Sequence, residues 1–250
     1  MKGKYRQKLI FVFLLAFALP LYGSLQETND TLIADFWYPV DFFLPNVFER
    51  LTENGYGNLS AEQFNALSAS DAEFKEAAAN ILEEARFVFS GVLFGYRFVY
   101  RPYDRRRNVT EIFTLEPFHQ IEAGDPNLKI IDTYKKDNAF YVRIRYRPDE
   151  RTMALYKRRG FSDMQSAAGR GQASIFGAQP PIESKLNAIK ESAKQAVRNH
   201  QRLRRKNKPL QISGEIFLTD APRMLIEAAA FVAYGRFLFK ISETEEYNIF

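Results

Sequence analysis

The sequence predicts an α+β protein: one antiparallel sheet of about six strands, with two long helices covering a face. Three observations carry this expectation. Residues 70–89 and 182–206 repeat apolar side chains at helical spacing. Several shorter segments alternate apolar and polar residues, with turn residues between them. The chain has 250 residues and no Cys, so a disulfide scaffold is excluded and one ordinary hydrophobic core must hold it.

The first 23 residues stand apart. Lys2, Lys4, Arg6 and Lys8 precede an unbroken apolar run, Leu9 to Leu19. Pro20 breaks it, and Gly23 and Ser24 are small. This is the layout of a secretory signal peptide, and the run is short for a spanning helix, which needs about 20 residues. Leu21 is larger than the residue preferred three positions before a cleavage site, so retention of the leader stays open. No Cys follows the run, which excludes a lipoprotein anchor. Export with no Cys suggests a bacterial envelope, periplasmic or secreted. The expected organisation is a signal peptide at 1–23, a polar and aromatic lead-in at 24–59, and a single domain at 60–250.

Leu25 to Ala34 reads as a polar, flexible lead-in. Asp35 to Pro45 is dense in aromatics and broken by Pro39 and Pro45, which prevents a regular helix throughout. Ser60 with Gln63, and Ser70 with Glu73, have capping-box spacing. Phe74, Ala77, Ala78, Ile81, Leu82, Ala85 and Val88 form the stripe of the first long helix, which Gly91 is expected to end. Two hairpins follow. Residues 94–100 pair with 109–115, and Lys129 to Lys135 pair with Phe140 to Tyr146 across Asp137-Asn138. Asp149 to Arg159 reads as a short basic helix.

Residues 160–181 carry four glycines, ending at Pro180-Pro181, and read as a flexible loop. Ile182, Leu186, Ile189, Ala193, Ala196, Val197, His200 and Leu203 mark the second long helix. Leu210 to Leu218 and Arg236 to Ser242 read as strands. Met224 to Ala233 fits a helix on its alanines or a strand on its Ile, Phe and Val, with helix favoured after Asp220-Ala221-Pro222. Ile81 to Gly91 resembles Leu225 to Gly235, as if a helix–Gly–strand unit recurred.

The charge balance excludes one class of function. Four of the 35 basic residues and none of the 30 acidic ones lie in the leader, leaving 31 against 30. A globally cationic nucleic-acid binder is disfavoured. Two His and no Cys leave little for a metal centre or a nucleophilic triad, and no cofactor is expected. There is no G-x-S-x-G, S-x-x-K, H-E-x-x-H or Walker A motif. His200, on the second helix's stripe, reads as a packed histidine.

Two groups remain as binding candidates. One is aromatic: Phe36, Trp37, Tyr38, Phe42 and Phe43. The other is basic: Arg101, Arg105, Arg106 and Arg107 at a hairpin tip, and Arg143, Arg145 and Arg147 alternating along one strand face. A further basic run, Arg202 to Lys208, closes the second helix, where cations also complement the helix dipole. Together they point to a non-catalytic envelope protein that binds another envelope protein or an anionic envelope component, with peripheral membrane contact open. Two other readings are carried: an envelope hydrolase with residues 160–179 as a lid, and a lipid carrier with an apolar cavity.

Overall fold

The computed structural model describes residues 25–28, 30–39, 62, 72–136, 139–159, 163–176, 180–204 and 207–247. The leader, Phe42, Phe43, the capping boxes at Ser60 and Ser70 and the Asp137-Asn138 turn lie outside the described residues. Among those described are ten strands and three helices. The strands are β1 (Gln26–Thr28), β2 (Thr31–Pro39), β3 (Tyr96–Arg101), β4 (Ile112–Pro117), β5 (Leu128–Lys136), β6 (Ala139–Tyr146), β7 (Gln165–Ser174), β8 (Gln211–Leu218), β9 (Arg223–Glu227) and β10 (Ala230–Glu245). The helices are α1 (Ala72–Leu93), α2 (Glu150–Arg158) and α3 (Pro181–Arg204). No helix among the described residues is long and apolar enough to cross a membrane.

The strands form two sheets, which corrects the single sheet expected from the sequence. The smaller has the order β1-β2-β6-β5, and the larger β4-β3-β8-β10-β7 with β9 also beside β10. All pairings are antiparallel. The described residues are mostly β with three helices, rather than one sheet beneath two. The cause is visible in α1. Six consecutive residues, Val88 to Leu93, are buried, so its last turns have no solvent face. A helix buried all round needs cover on more than one side. Here α1 touches β8 of the larger sheet and β2 and β6 of the smaller. Phe89 meets Phe36 edge-on at 5.9 Å and stacks near Tyr146 at 6.3 Å. Gly91 lies inside the helix, and the chain turns instead at Gly95, whose φ of 76° suits glycine.

The expected lead-in is structured. Leu32, Ala34, Phe36 and Tyr38 alternate inward along β2, and β2 pairs with β6 from Leu32 to Pro39. Period-two burial makes Phe36-Trp37-Tyr38 part of a strand.

Within the expected glycine-rich loop, residues 165–174 form strand β7, paired along β10. Its small residues admit α3. A Cβ on Gly169 would lie 1.9 Å from the Ser192 carbonyl oxygen, and one on Gly171 would lie 2.1 Å from the Ser192 nitrogen. The glycines permit close packing of helix on sheet instead of mobility. Residues 224–233 are the β9–β10 hairpin, not a helix. Phe231, Val232 and Ala233 are all buried. Ile81–Gly91 is helix while Leu225–Gly235 is hairpin, so the apparent repeat has no structural counterpart.

Other expectations hold. α2 starts at Asp149, whose side chain accepts from the Thr152 N–H. His200 is buried edge-on against Phe239, ring centroids 4.9 Å apart.

Candidate functional site

The outer face of the smaller sheet gathers three of the sequence candidates, Trp37, Arg143 and Arg145. β2, β6 and β5 lie side by side, and register sets their outward residues in rows. Tyr141 is opposite both Trp37 and Tyr134. Arg143 is opposite both Asp35 and Asp132, and Arg145 opposite both Ile33 and Lys129. The array is an aromatic row, an acid–base–acid row, and a row of Ile33 with two cations. β5 keeps this alignment through a bulge between Ile130 and Asp132. Lys129 and Tyr134 are five positions apart and would fall on opposite faces of a regular strand; the bulge at Ile131 brings them to the same face.

Two of the three rings in the aromatic row are stacked, and Trp37 is tilted 35° to its neighbour. Tyr134 and Tyr141 are nearly parallel, 5° between planes and 4.9 Å between centroids; Trp37 lies 6.4 Å from Tyr141. Neighbouring strands are about 4.8 Å apart, close to the spacing of the two tyrosine rings, which stack across the strands. The second row is locked. Arg143 donates from Nε to Asp35 Oδ1 at 2.8 Å and from Nη2 to Oδ2 at 3.2 Å. The Tyr134 hydroxyl donates to Asp35 Oδ2 at 3.1 Å. Burial first, then the Asp35 carboxylate, push the Tyr134 phenol up to about 12. The hydrogen bonds to Asp35 in turn hold the Arg143 guanidinium charged more firmly than usual. Lys129 and Arg145 are exposed.

Beneath Trp37 lies a buried ion pair the sequence reading missed. Lys185 of α3 and Glu84 of α1 meet at 2.6 Å, with no exposure of the lysine side chain. Lys185 also donates to the Trp37 carbonyl oxygen at 2.7 Å, and its Nζ sits 4.0 Å from the Tyr38 ring centre. The Tyr38 hydroxyl donates to Glu84 Oε2 at 3.0 Å. Burial pushes the Lys185 ammonium below its ordinary range, and Glu84 opposes that. Burial, reinforced by Glu84, raises the Tyr38 phenol well above its usual value. The network fixes β2, which carries Trp37, to both helices. With Lys185 sealed, no substrate reaches it, and its chemistry is that of an anchor. The signal was legible: Lys185 lies three residues after Ile182 and four before Ile189, on the apolar stripe.

Next to this network, Asp35, Trp37, Glu84, Pro222 and Met224 border a cavity of about 30 Å³. That is space for a water, far below an acyl chain. Of the lid that a hydrolase reading required, residues 165–174 form strand β7.

The remaining candidates disperse. Phe36 and Tyr38 are core residues at 4% and 3% exposure. Arg147 is exposed just beyond β6. Arg101 donates to Gln211 Oε1 at 3.2 Å. Arg105 and Arg106 are exposed at the tip of the β3–β4 hairpin. Arg107 is engaged within it, 2.7 Å from Asp104 and 4.0 Å from the Tyr247 ring centre. Among the described residues no group of three His, Asp or Glu side chains is placed to hold a metal ion.

A protein-family model matches residues 23–247, and the chain belongs to that family. An uncharacterized protein of Treponema pallidum (strain Nichols) is 28% identical over 151 residues, 60% of this chain. The chain spans about 62% of that relative's length. No solved structure matches. Roles for the residues above therefore rest on geometry.

Proposed function

We propose that this chain, a member of the family matched over residues 23–247, is an exported bacterial envelope protein that acts by binding another envelope protein. Its binding face is the outer surface of the smaller sheet. One observation carries the reading: the outward rows of β2, β6 and β5 form a preorganised array of stacked aromatics beside a locked Asp35–Arg143 pair and two exposed cations. Aromatic and Arg side chains held rigid lose little entropy on docking and dominate binding energy at protein interfaces. Export is supported by the basic and apolar leader, and the family match begins at residue 23, beside the expected cleavage point.

Crosslinked affinity capture from the native cells tests the reading. The wild type is expected to bring down one protein at near-stoichiometric yield. Reversing both exposed cations, Lys129→Glu with Arg145→Glu, is expected to abolish that capture without changing the melting temperature. Arg151→Glu on α2, also exposed, serves as control and is expected to change nothing. Equal capture by the double variant, or recovery of lipid or glycan alone, contradicts the proposal.

A further inference from the structure

A second cavity, of about 400 Å³, opens at the C-terminal end of α3 against the β3–β4 hairpin. It is separate from the sheet face described above. Arg198, Gln201 and Arg202 of α3 line one wall, Tyr100 and Glu111 another, and Lys208 reaches it from beyond the helix. Its size falls in the range of small-molecule sites. We infer that this cavity binds a phosphate monoester, held by Arg198, Arg202 and Lys208.

The charges are the first argument. Arg198 and Arg202 are one helical turn apart, a spacing at which like charges repel. Lys208 adds a third cation, braced by its bond to the Tyr103 carbonyl oxygen at 2.8 Å. The one acid of the wall, Glu111, accepts from Lys194 Nζ and from the Tyr100 hydroxyl, both at 3.0 Å, and Lys194 is shared with Glu191 at 2.8 Å. Burial pushes the Glu111 carboxyl up, but these bonds and the charges of Lys194 and Arg198 outweigh it, so it stays ionised. Lys194, Arg198, Arg202 and Lys208 then stand against Glu111 and Glu191, and the surplus positive charge is left for an anion. The helix dipole explains cations in a last turn. It does not explain Lys208 arriving at the same cavity from another segment, nor the cavity itself.

The kind of anion is the second argument. Three cations around one volume match the three outer oxygens of a phosphate dianion better than the two of a carboxylate, and guanidinium groups bind such oxygens in pairs.

Calorimetry with sn-glycerol 3-phosphate on the purified full chain tests this. Saturable binding at one site per chain is expected. Arg198→Gln with Arg202→Gln is expected to weaken it at least tenfold. A parallel arm uses phosphatidylcholine vesicles with and without phosphatidic acid. Vesicle binding that needs phosphatidic acid and is lost in the Arg double variant supports the same site with a lipid headgroup as source; glycerol phosphate binding alone supports a soluble ester. No binding in either arm, or binding that the double variant retains while its fold is intact by circular dichroism, overturns the inference.

Discussion

The Nζ of Lys185 lies 2.6 Å from Oε2 of Glu84, and the contact ties α3 to α1 in the interior. The same ammonium donates to the Trp37 main chain, so the one pair joins both helices to the smaller sheet. A buried pair broken on one side leaves an uncompensated charge, at a cost of about 3–5 kcal/mol. Lys185→Met is therefore expected to lower stability by about that amount in urea titration. Lys185→Met with Glu84→Leu removes both charges and is expected to recover at least half the loss. A double variant no better than the single one contradicts this account.

The contact of β7 with α3 yields a second prediction. Gly169→Ala drives a methyl group onto the Ser192 carbonyl oxygen, backbone that cannot swing aside. Overpacking typically costs about 1–3 kcal/mol, and a clash with main chain sits at the upper end. A loss near 3 kcal/mol is expected by chemical denaturation. Gly124→Ala at a solvent-exposed turn has open space around it but a φ of 81°, so a smaller loss from backbone strain alone is expected there.

The β9–β10 turn is built from residues ill suited to it. Ala228 and Ala229 both adopt left-handed conformations, with φ of 47° and 60°. Two-residue hairpin turns with both φ positive favour Asn-Gly. An L side chain in this region costs roughly 1–2 kcal/mol. Ala228→Asn with Ala229→Gly is expected to stabilise the protein by about 1 kcal/mol or more. An unchanged or lower melting temperature contradicts the turn assignment.

The site has its own pH signature. Tyr134 titrates near 12 in the fold, against 10 in an unfolded chain. Below pH 10 its contribution to stability is fully present. As pH rises from 10 to 12 the unfolded chain loses this proton first, so the native state is progressively disfavoured. The phenolate absorbance that disappears in Tyr134→Phe is expected to have its midpoint near pH 12. Asp35→Asn is expected to move that midpoint down.

Much of the fold was legible where one period dominated. The Lys129–Tyr146 hairpin, α2 and the main run of α3 follow directly from spacing. Elsewhere the local pattern carried two meanings. Gly169 and Gly171 look like a mobile loop, yet they are where α3 comes closest to the sheet, a fact held in Ser192 rather than in their neighbours. The alanines of 228–230 favour helix, but Phe231 to Ala233 are buried in a strand between β7 and β9. The division into two sheets depends on the last turns of α1 being buried all round, from Val88 to Leu93.

The candidate site was half legible. The alternation of Arg143 and Arg145 showed a shared face. It could not show that Asp35 neutralises one of them, because that pairing spans 108 positions. Tyr134 and Tyr141 were invisible as partners of Trp37 for the same reason: register between strands creates the row. Arg147 lies past the strand end, and Phe36 and Tyr38 point inward because their neighbour points out.

Site-specific photocrosslinking in the native cells tests the binding face most directly. A photoreactive residue is placed in turn at Lys129, at Arg145, and at Asn199 on the exposed side of α3. The account predicts one discrete protein conjugate, the same from positions 129 and 145, and none from 199. A conjugate of equal yield from 199, or none from either position on the sheet, would contradict it.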